Sequence, residues 1–281
     1  MLPAAHLYPG RNDSPAVTVV VPTYNEVDNI EPLVARLSAV LDPVSAEVLF
    51  VDDSTDTTPQ AVRRAATGPL PVRLLHRDRP DGGLAGAVVA GIGASRAEWV
   101  VVMDGDLQHP PEVVPSLLRR ASAGDVDAVV ASRYVDGGDA GGLDGVLRRA
   151  VSTWSGRVAR GLFPRRLAAC SDPMSGFFAV RRDALALDEV TRCGYKVLLA
   201  LLVHRPLAVG EVGFRFAERQ AGESKASLRE GMRYLRLLAE LRLRPPARPR
   251  TPIPATPAVP AFPGDLSATP SVVTATPLRS R

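Results

Sequence analysis

A chain of 281 residues is long enough to bury one substantial core, a single domain of roughly 200 to 250 residues with extensions. With 46% hydrophobic and 23% charged residues it has the make-up of an ordinary globular protein, not of a disordered or fibrous one. A net charge of +4, carried almost entirely by arginine, suits phosphate groups or an anionic surface without calling for nucleic acid.

The opening MLPAAHLYPGRNDSPA lacks the basic start and apolar run of a secretory signal, and residues 1–16 read as an N-terminal extension. From there short valine-rich runs recur: Val17 to Pro22, Glu47 to Asp53, Pro71 to Arg77, Trp99 to Asp106 and Asp127 to Arg133. Runs apolar on both faces and separated by helical patterns predict buried, mostly parallel strands in an α/β sheet. The intervening helices are expected over Asn29 to Leu41, Pro59 to Ala66 and Leu84 to Ser95, the last rich in alanine and glycine and suited to close packing on the sheet. Pro110 and Pro111 open a further helix, because proline is tolerated in a first turn whose amides have no partner.

The second half changes character. Gly137 to Gly145 is a glycine-rich loop. Leu147 to Phe163 predicts an amphipathic helix with Leu147, Val151, Trp154, Val158 and Leu162 on one face among Arg148, Arg149, Arg157 and Arg160. The run around Lys196 to Val203 has the length of a strand or a core helix, and nowhere does an apolar run reach the roughly 18 residues of a membrane span. Leu228 to Leu243 predicts a second amphipathic helix, with Met232, Leu235, Leu238 and Leu241 facing one way among Arg229, Arg233, Arg236 and Arg242. Either helix suits a membrane surface; the alternative is that both pack on the sheet with arginine as the solvated face. Residues 245–281 are proline-rich, lack periodicity, and read as a disordered tail, leaving 17–244 as the folded domain. Cys170 and Cys193 are too few for a disulfide scaffold and lack metal-ligand spacing, so a reducing, cytoplasmic setting is expected.

In open α/β sheets ligands bind beyond the carboxyl ends of the strands. There, MDGDLQHPPE places Asp104 and Asp106 one residue apart. Hard cations such as Mg2+ or Mn2+ take oxygen ligands, and Gln108 offers a neutral one, although an isolated Asp-x-Asp is also an ordinary loop sequence. The first strand ends in Pro22, Tyr24, Asn25 and Glu26, the second in Asp52, Asp53, Ser54 and Asp56: an aromatic ring to stack on a base and carboxylates to accept its donors. Asn25 and Asp56 equally suit caps and turns. Arg133, Arg148, Arg149, Arg219 and Lys225 are candidate phosphate ligands. His109 stands where a general base would, or is a turn residue before Pro110.

Taken together, PTYNE, VDDS, MDGDLQHPPE, ASRYVDGG, SDPMSGFF at Ser171 to Phe178, GYK at Gly194 to Lys196 and FRFAERQAGESKAS resemble the dolichol-phosphate (polyprenol-phosphate) mannosyltransferases of glycosyltransferase family 2, over about Val17 to Arg244. The resemblance implies a GT-A fold, that is, a Rossmann-like, mixed and mostly parallel sheet flanked by helices. It also implies a GDP-mannose donor, a polyprenyl phosphate acceptor, Mg2+ or Mn2+, and peripheral attachment to a membrane, and it leaves open a membrane-anchoring partner. Carried over by motif, Pro22, Tyr24, Glu26, Asp52 and Asp53 would line the nucleotide pocket, Asp104, Asp106 and Gln108 would handle metal and diphosphate, and Arg133, Arg148, Arg219, Ser224 and Lys225 would surround the phosphates. VDDSTDTT departs from the more usual VDDSSxDGT, and Gly105 from a common alanine; neither removes a carboxylate with an implied role. A lipid phosphate is already anionic near neutral pH, so in-line attack without a strong base and inversion at the anomeric carbon are expected. The competing readings are a UDP-sugar transferase acting on the same lipid class and a non-catalytic scaffold that binds nucleotide sugar and membrane.

Overall fold

The β-branched run Val17–Thr23 forms β1, with every residue buried, because both of its faces are covered by helices. In the computed structural model, which describes residues 14–135, 138, 146–185, 196–216 and 228–243, β1 pairs in parallel with β2 (Ala46–Asp52) on one side and β4 (Trp99–Val102) on the other. β3 (Val72–His76) lies beyond β2. The full order is β3-β2-β1-β4-β6-β5-β7, where β5 is Ala128–Ser132, β6 is Phe178–Arg181 and β7 is Val209–Gly213. β6 runs antiparallel to both β4 and β5, while β5 and β7 are parallel. The sheet is therefore mixed and mostly parallel, as expected.

Alternation along the strands divides the core in two. Val19 and Val21 face the side covered by α1 (Val27–Leu41), α2 (Thr58–Ala65) and α4 (Val114–Ser122). Val20 and its neighbours Val51 and Val102 face α3 (Gly83–Ala94), α6 (Val197–His204) and α7 (Leu228–Leu243). α3 lies close against β1: a Cβ at Gly91 would collide with the side chain of Val20, so the glycine-rich composition of this helix is a packing requirement. A short 3₁₀ turn, Pro111–Val113, leads into α4 where the two prolines predicted a helix start.

Three expectations change. The run after Lys196 is the helix α6, buried on all sides, which is why its sequence shows no amphipathic period. β6 and β7 have no counterpart among the predicted strands; their sequences, FAVR and VGEVG, carry no continuous valine run. The two amphipathic helices bury only part of the faces that their periodicity suggests, Val158 packing on the core and Leu238 and Leu241 being buried as expected. In α5 (Val146–Leu162) Ala159 faces the core while Trp154 and Leu162 are exposed, and in α7 Tyr234, Leu237, Leu238 and Leu241 are buried while Met232 and Leu235 are exposed. The Tyr234 hydroxyl donates to the Ser155 carbonyl at 2.6 Å, joining the two helices.

Candidate active site

Register brings the strand ends level. Thr23 pairs with Asp52 and Asp52 with His76, while Val20 pairs with Val102, so the chain leaving β4 at Met103 and Asp104 emerges beside Val21 and Pro22. The loop after β1 then turns through Asn25 at φ 58, a left-handed conformation that asparagine tolerates. It is tied to the loop after β2 by three hydrogen bonds: Asn25 N–H to Ser54 Oγ at 2.8 Å, Thr55 N–H to Asn25 Oδ1 at 3.0 Å, and Glu26 N–H to Thr58 Oγ1 at 3.0 Å. Asn25 thus acts as a turn residue, and Asp56 caps the following helix by accepting the Thr58 N–H and hydroxyl.

Asp52 is not a ligand-facing residue. It is fully buried, and its carboxylate accepts the hydroxyls of Thr23 at 2.8 Å and Ser54 at 2.5 Å and lies 2.7 Å from His76 Nδ1. Alternation on β2 turns it inward, where it organises the loops that present its neighbour. Asp53 does face the cavity, but it is held by Arg77, whose Nε and Nη2 donate to its two oxygens at 2.7 and 2.5 Å. Arg77 also donates to the carbonyls of Asp81 and Gly83 at 3.0 and 3.1 Å, so one guanidinium joins the ends of β2 and β3 to the start of α3. No role was expected for Arg77; the signal was an arginine at the end of the strand beside the one ending in aspartate.

After β4 the chain passes through Leu107 at φ 62. A leucine in this region costs about 1 to 2 kcal/mol, which the burial of its side chain offsets. The turn brings the Gln108 N–H to Asp106 Oδ1 at 3.1 Å, gathering Asp104, Asp106 and Gln108 in one bend. His109 is not a surface turn residue, and its Nδ1 already accepts the backbone N–H of Asp104. It is buried, stacked on Phe177 with ring centroids 5.1 Å apart and edge-on to Phe214 and Phe216. Burial pushes its imidazole down to about 4.

On the far side, Arg133 at the end of β5 is gripped by Asp172, with Nε and Nη2 both 2.8 Å from the carboxylate oxygens, and the pair is almost wholly buried. The loop carrying Asp172 is anchored by Glu211 of β7, which accepts the Ser171 N–H and hydroxyl, each at 2.8 Å. Arg133 therefore presents a compensated charge rather than a free phosphate clamp. Arg219, Ser224 and Lys225, and the side chains of Arg148 and Arg149, lie outside the described residues.

Two cavities open at these strand ends. One, of about 480 Å3, is lined by Pro22, Tyr24, Glu26, Asp53 and Pro80 together with Asp104 and Asp106. The other, of about 280 Å3, is lined by Gln108, His109, Arg133, Met174, Lys196 and Phe216, again with Asp104 and Asp106. Lys196, at the N-terminal end of α6, is a second site residue to which no role was assigned. Residues 18–187 match the family description "Glycosyl transferase family 2". The chain belongs to that family. Among its relatives, the dolichol-phosphate mannosyltransferase of Saccharomyces cerevisiae is 38% identical over 240 residues, covering 80% of this chain and 86% of the yeast protein. That of Pyrococcus furiosus is 34% identical over 226 residues, covering 80% of this chain but only 63% of the archaeal protein. The crystal structure of glucosyl-3-phosphoglycerate synthase from Mycobacterium tuberculosis, in complex with Mn2+, UDP and glucosyl-3-phosphoglycerate, superposes with a TM-score of 0.59 at 22% identity, over 81% of this chain and 78% of the other. The mixed sheet of this family 2 chain is thus the expected GT-A arrangement.

The donor set of the transferase fits a hard divalent cation. Asp104 is partly exposed to the cavity, Asp106 stands beside it, and the Gln108 amide supplies a neutral oxygen. Among the described residues no three His, Cys, Asp or Glu side chains are arranged to hold a metal ion by themselves, so a cation here would take its remaining ligands from diphosphate and water, as Mg2+ commonly does. Cys170 is buried, and burial pushes its thiol up, away from reactivity.

Proposed function

We propose that this family 2 glycosyltransferase moves mannose from GDP-mannose to a polyprenyl, dolichyl-type phosphate, giving a β-linked polyprenyl phosphate mannose with inversion. The observation that carries the reading is that Asp104 and Asp106 line both cavities. The larger, with Tyr24 to stack on a base and Glu26 and Asp53 to accept its donors, suits the nucleotide. The smaller, with apolar Met174 and Phe216 beside Lys196 and Arg133, suits an acceptor phosphate with an apolar tail. The sugar carbon to be attacked would then sit at their junction. An acceptor phosphate oxygen forms the new bond to that carbon as the bond to the diphosphate oxygen breaks, and the electron pair leaves with the nucleoside diphosphate. Mg2+ or Mn2+ held by Asp104, Asp106 and Gln108 would supply charge neutralisation for the departing diphosphate. The names of the relatives and the mannosyltransferase-like motifs support the sugar and the acceptor class. Arg148, Arg219, Ser224 and Lys225 are proposed to complete the phosphate-binding side.

The acceptor implies a lipid surface. Among the described residues no helix is long and apolar enough to cross a membrane. Trp154 and Leu162 of α5 and Met232, Leu235 and Leu243 of α7 are exposed, with Arg157, Arg160, Arg236 and Arg242 exposed on the same two helices. Apolar side chains set among arginines support peripheral attachment to the cytoplasmic face of a membrane. The deciding experiment offers GDP-mannose, UDP-glucose and UDP-N-acetylglucosamine separately to purified protein with a short polyprenyl phosphate and Mg2+, and follows glycolipid by mass spectrometry. Product from GDP-mannose alone is expected. Product from a UDP-sugar alone would overturn the donor while keeping the chemistry, and no product from any donor, with or without added membranes, would overturn the catalytic reading.

A further inference from the structure

His109 borders the smaller cavity yet is almost wholly buried, and the proposed reaction assigns its ring no step. Its Nδ1 instead accepts the backbone N–H of Asp104 at 2.9 Å. That leaves the ring proton on Nε2, since a neutral imidazole with an accepting Nδ1 carries its hydrogen on the other nitrogen. The ring cannot turn: Phe177 stacks on it, and Phe214 and Phe216 meet it edge-on at 5.9 and 5.5 Å. Gly176 lies against both groups: a Cβ there would stand 3.2 Å from His109 Cε1 and 3.3 Å from Asp104 Oδ2, and His109 Nδ1 is 3.6 Å from that same oxygen, so any side chain entering at this point of the segment before β6 would press on the ring and the carboxylate together.

We propose that His109 and Gly176 together form a clamp on Asp104, His109 fixing its backbone through Nδ1 and Gly176 bounding its carboxylate, so that the carboxylate is aimed at the cation and diphosphate before they bind. The clamp rests on the reading of Asp104 as a metal and diphosphate ligand. Both residues border the smaller cavity, and the role assigned to them is to position Asp104. Partners that orient a metal ligand commonly contribute 10- to 100-fold to metal affinity, and the aromatic cluster explains why an imidazole serves where a more mobile acceptor would not: three rings hold the lone pair in one direction.

The test measures Mn2+ binding in the presence and absence of GDP, by the electron paramagnetic resonance of free Mn2+, together with melting temperature, on the full chain. His109→Phe keeps a ring in the aromatic cluster and removes the acceptor; His109→Asn keeps an acceptor near the position of Nδ1 and removes the ring; Gly176→Ala leaves His109 in place and presses on the Asp104 carboxylate. Weakening of Mn2+·GDP binding by about tenfold or more is expected in His109→Phe at a near-native melting temperature, with His109→Asn recovering part of it at a lower one, and in Gly176→Ala. A purely structural histidine would lower the melting temperature without a selective effect on the metal. Wild-type Mn2+·GDP affinity in a folded His109→Phe overturns the clamp. Should His109→Phe fail to fold, wild-type affinity in Gly176→Ala overturns it instead. Absence of Mn2+·GDP binding by the unaltered protein, or binding that Asp104→Asn leaves unchanged, overturns the metal reading and the clamp with it, which separates the two failures.

Discussion

The nucleotide side and the acceptor side of the molecule are built in different ways. On the first, β1, β2, β3 and β4 run parallel, and their ends deliver Tyr24, Asp53, Arg77 and Asp104 through loops that immediately follow each strand. The loops are tied to one another by short-range hydrogen bonds centred on buried Asp52 and on the Arg77 guanidinium. On the second, the wall is assembled from Arg133, the segment from Asp172 to Gly176, Lys196 and Phe216, which meet only because β6 enters the sheet antiparallel between β4 and β5. A parallel sheet places chemistry where the chain leaves each strand. An inserted antiparallel strand brings in residues that precede it, and with them buried charge.

That contrast can be broken experimentally. The largest effect is expected on the acceptor side: Asp172→Ala leaves the buried Arg133 guanidinium unpaired, and losing one partner of such a pair costs about 3 to 5 kcal/mol, measurable as a shift in the urea midpoint. A loss below about 1 kcal/mol, the range of a solvated pair, would mean that the Arg133–Asp172 pair does not act as buried charge on the acceptor side. Next, Asp106→Ala should reduce metal-dependent turnover by on the order of 10²- to 10³-fold, with a melting temperature close to that of the unaltered protein, because its carboxylate faces the cavities. Near-normal turnover would remove the shared carboxylates as the link between the cavities. Arg77→Met should raise the KM for the nucleotide sugar several-fold with little change in the KM for the lipid phosphate, since it loosens Asp53 and the Gly83 turn but nothing on the acceptor wall. Equal changes in both constants would show the sides to be coupled. Replacing Trp154, Met232 and Leu235 with serine should weaken sedimentation with anionic vesicles while leaving stability nearly unaltered, as all three are exposed; unchanged sedimentation would assign the attachment elsewhere. Smallest of all, truncation after Arg250 should barely move the melting temperature, which checks the domain boundary expected near residue 244 from composition.

The nucleotide side was largely legible in the sequence. A buried parallel strand announces itself as a continuous valine run, and the polar residues that follow it are constrained to one end of the sheet. Pro22, Tyr24, Glu26, Asp53, Asp104, Asp106 and Gln108 could therefore be singled out before their neighbours were known, and all line the two cavities. Asp52 shows the limit of that reasoning: of two adjacent aspartates, alternation turns one inward, and the run alone does not say which. His109 shows it again, since an acceptor enclosed by Phe177, Phe214 and Phe216 is invisible to a reading in which those rings lie far apart along the chain.

The amphipathic helices mark the same boundary from the other direction. Periodicity correctly placed α5 at Val146–Leu162 and α7 at Leu228–Leu243, but it did not show that Tyr234 of α7 is buried and donates to the Ser155 carbonyl of α5. The sequence by itself determined the class of fold, the sites of the parallel strands and the chemistry at their ends, because those follow from local pattern and from the direction in which the chain leaves each strand. Only the tertiary structure decided the antiparallel insertion, the pairing of Arg133 with Asp172, the turning inward of Asp52 and the enclosure of His109, because each depends on which distant segment comes to lie against it.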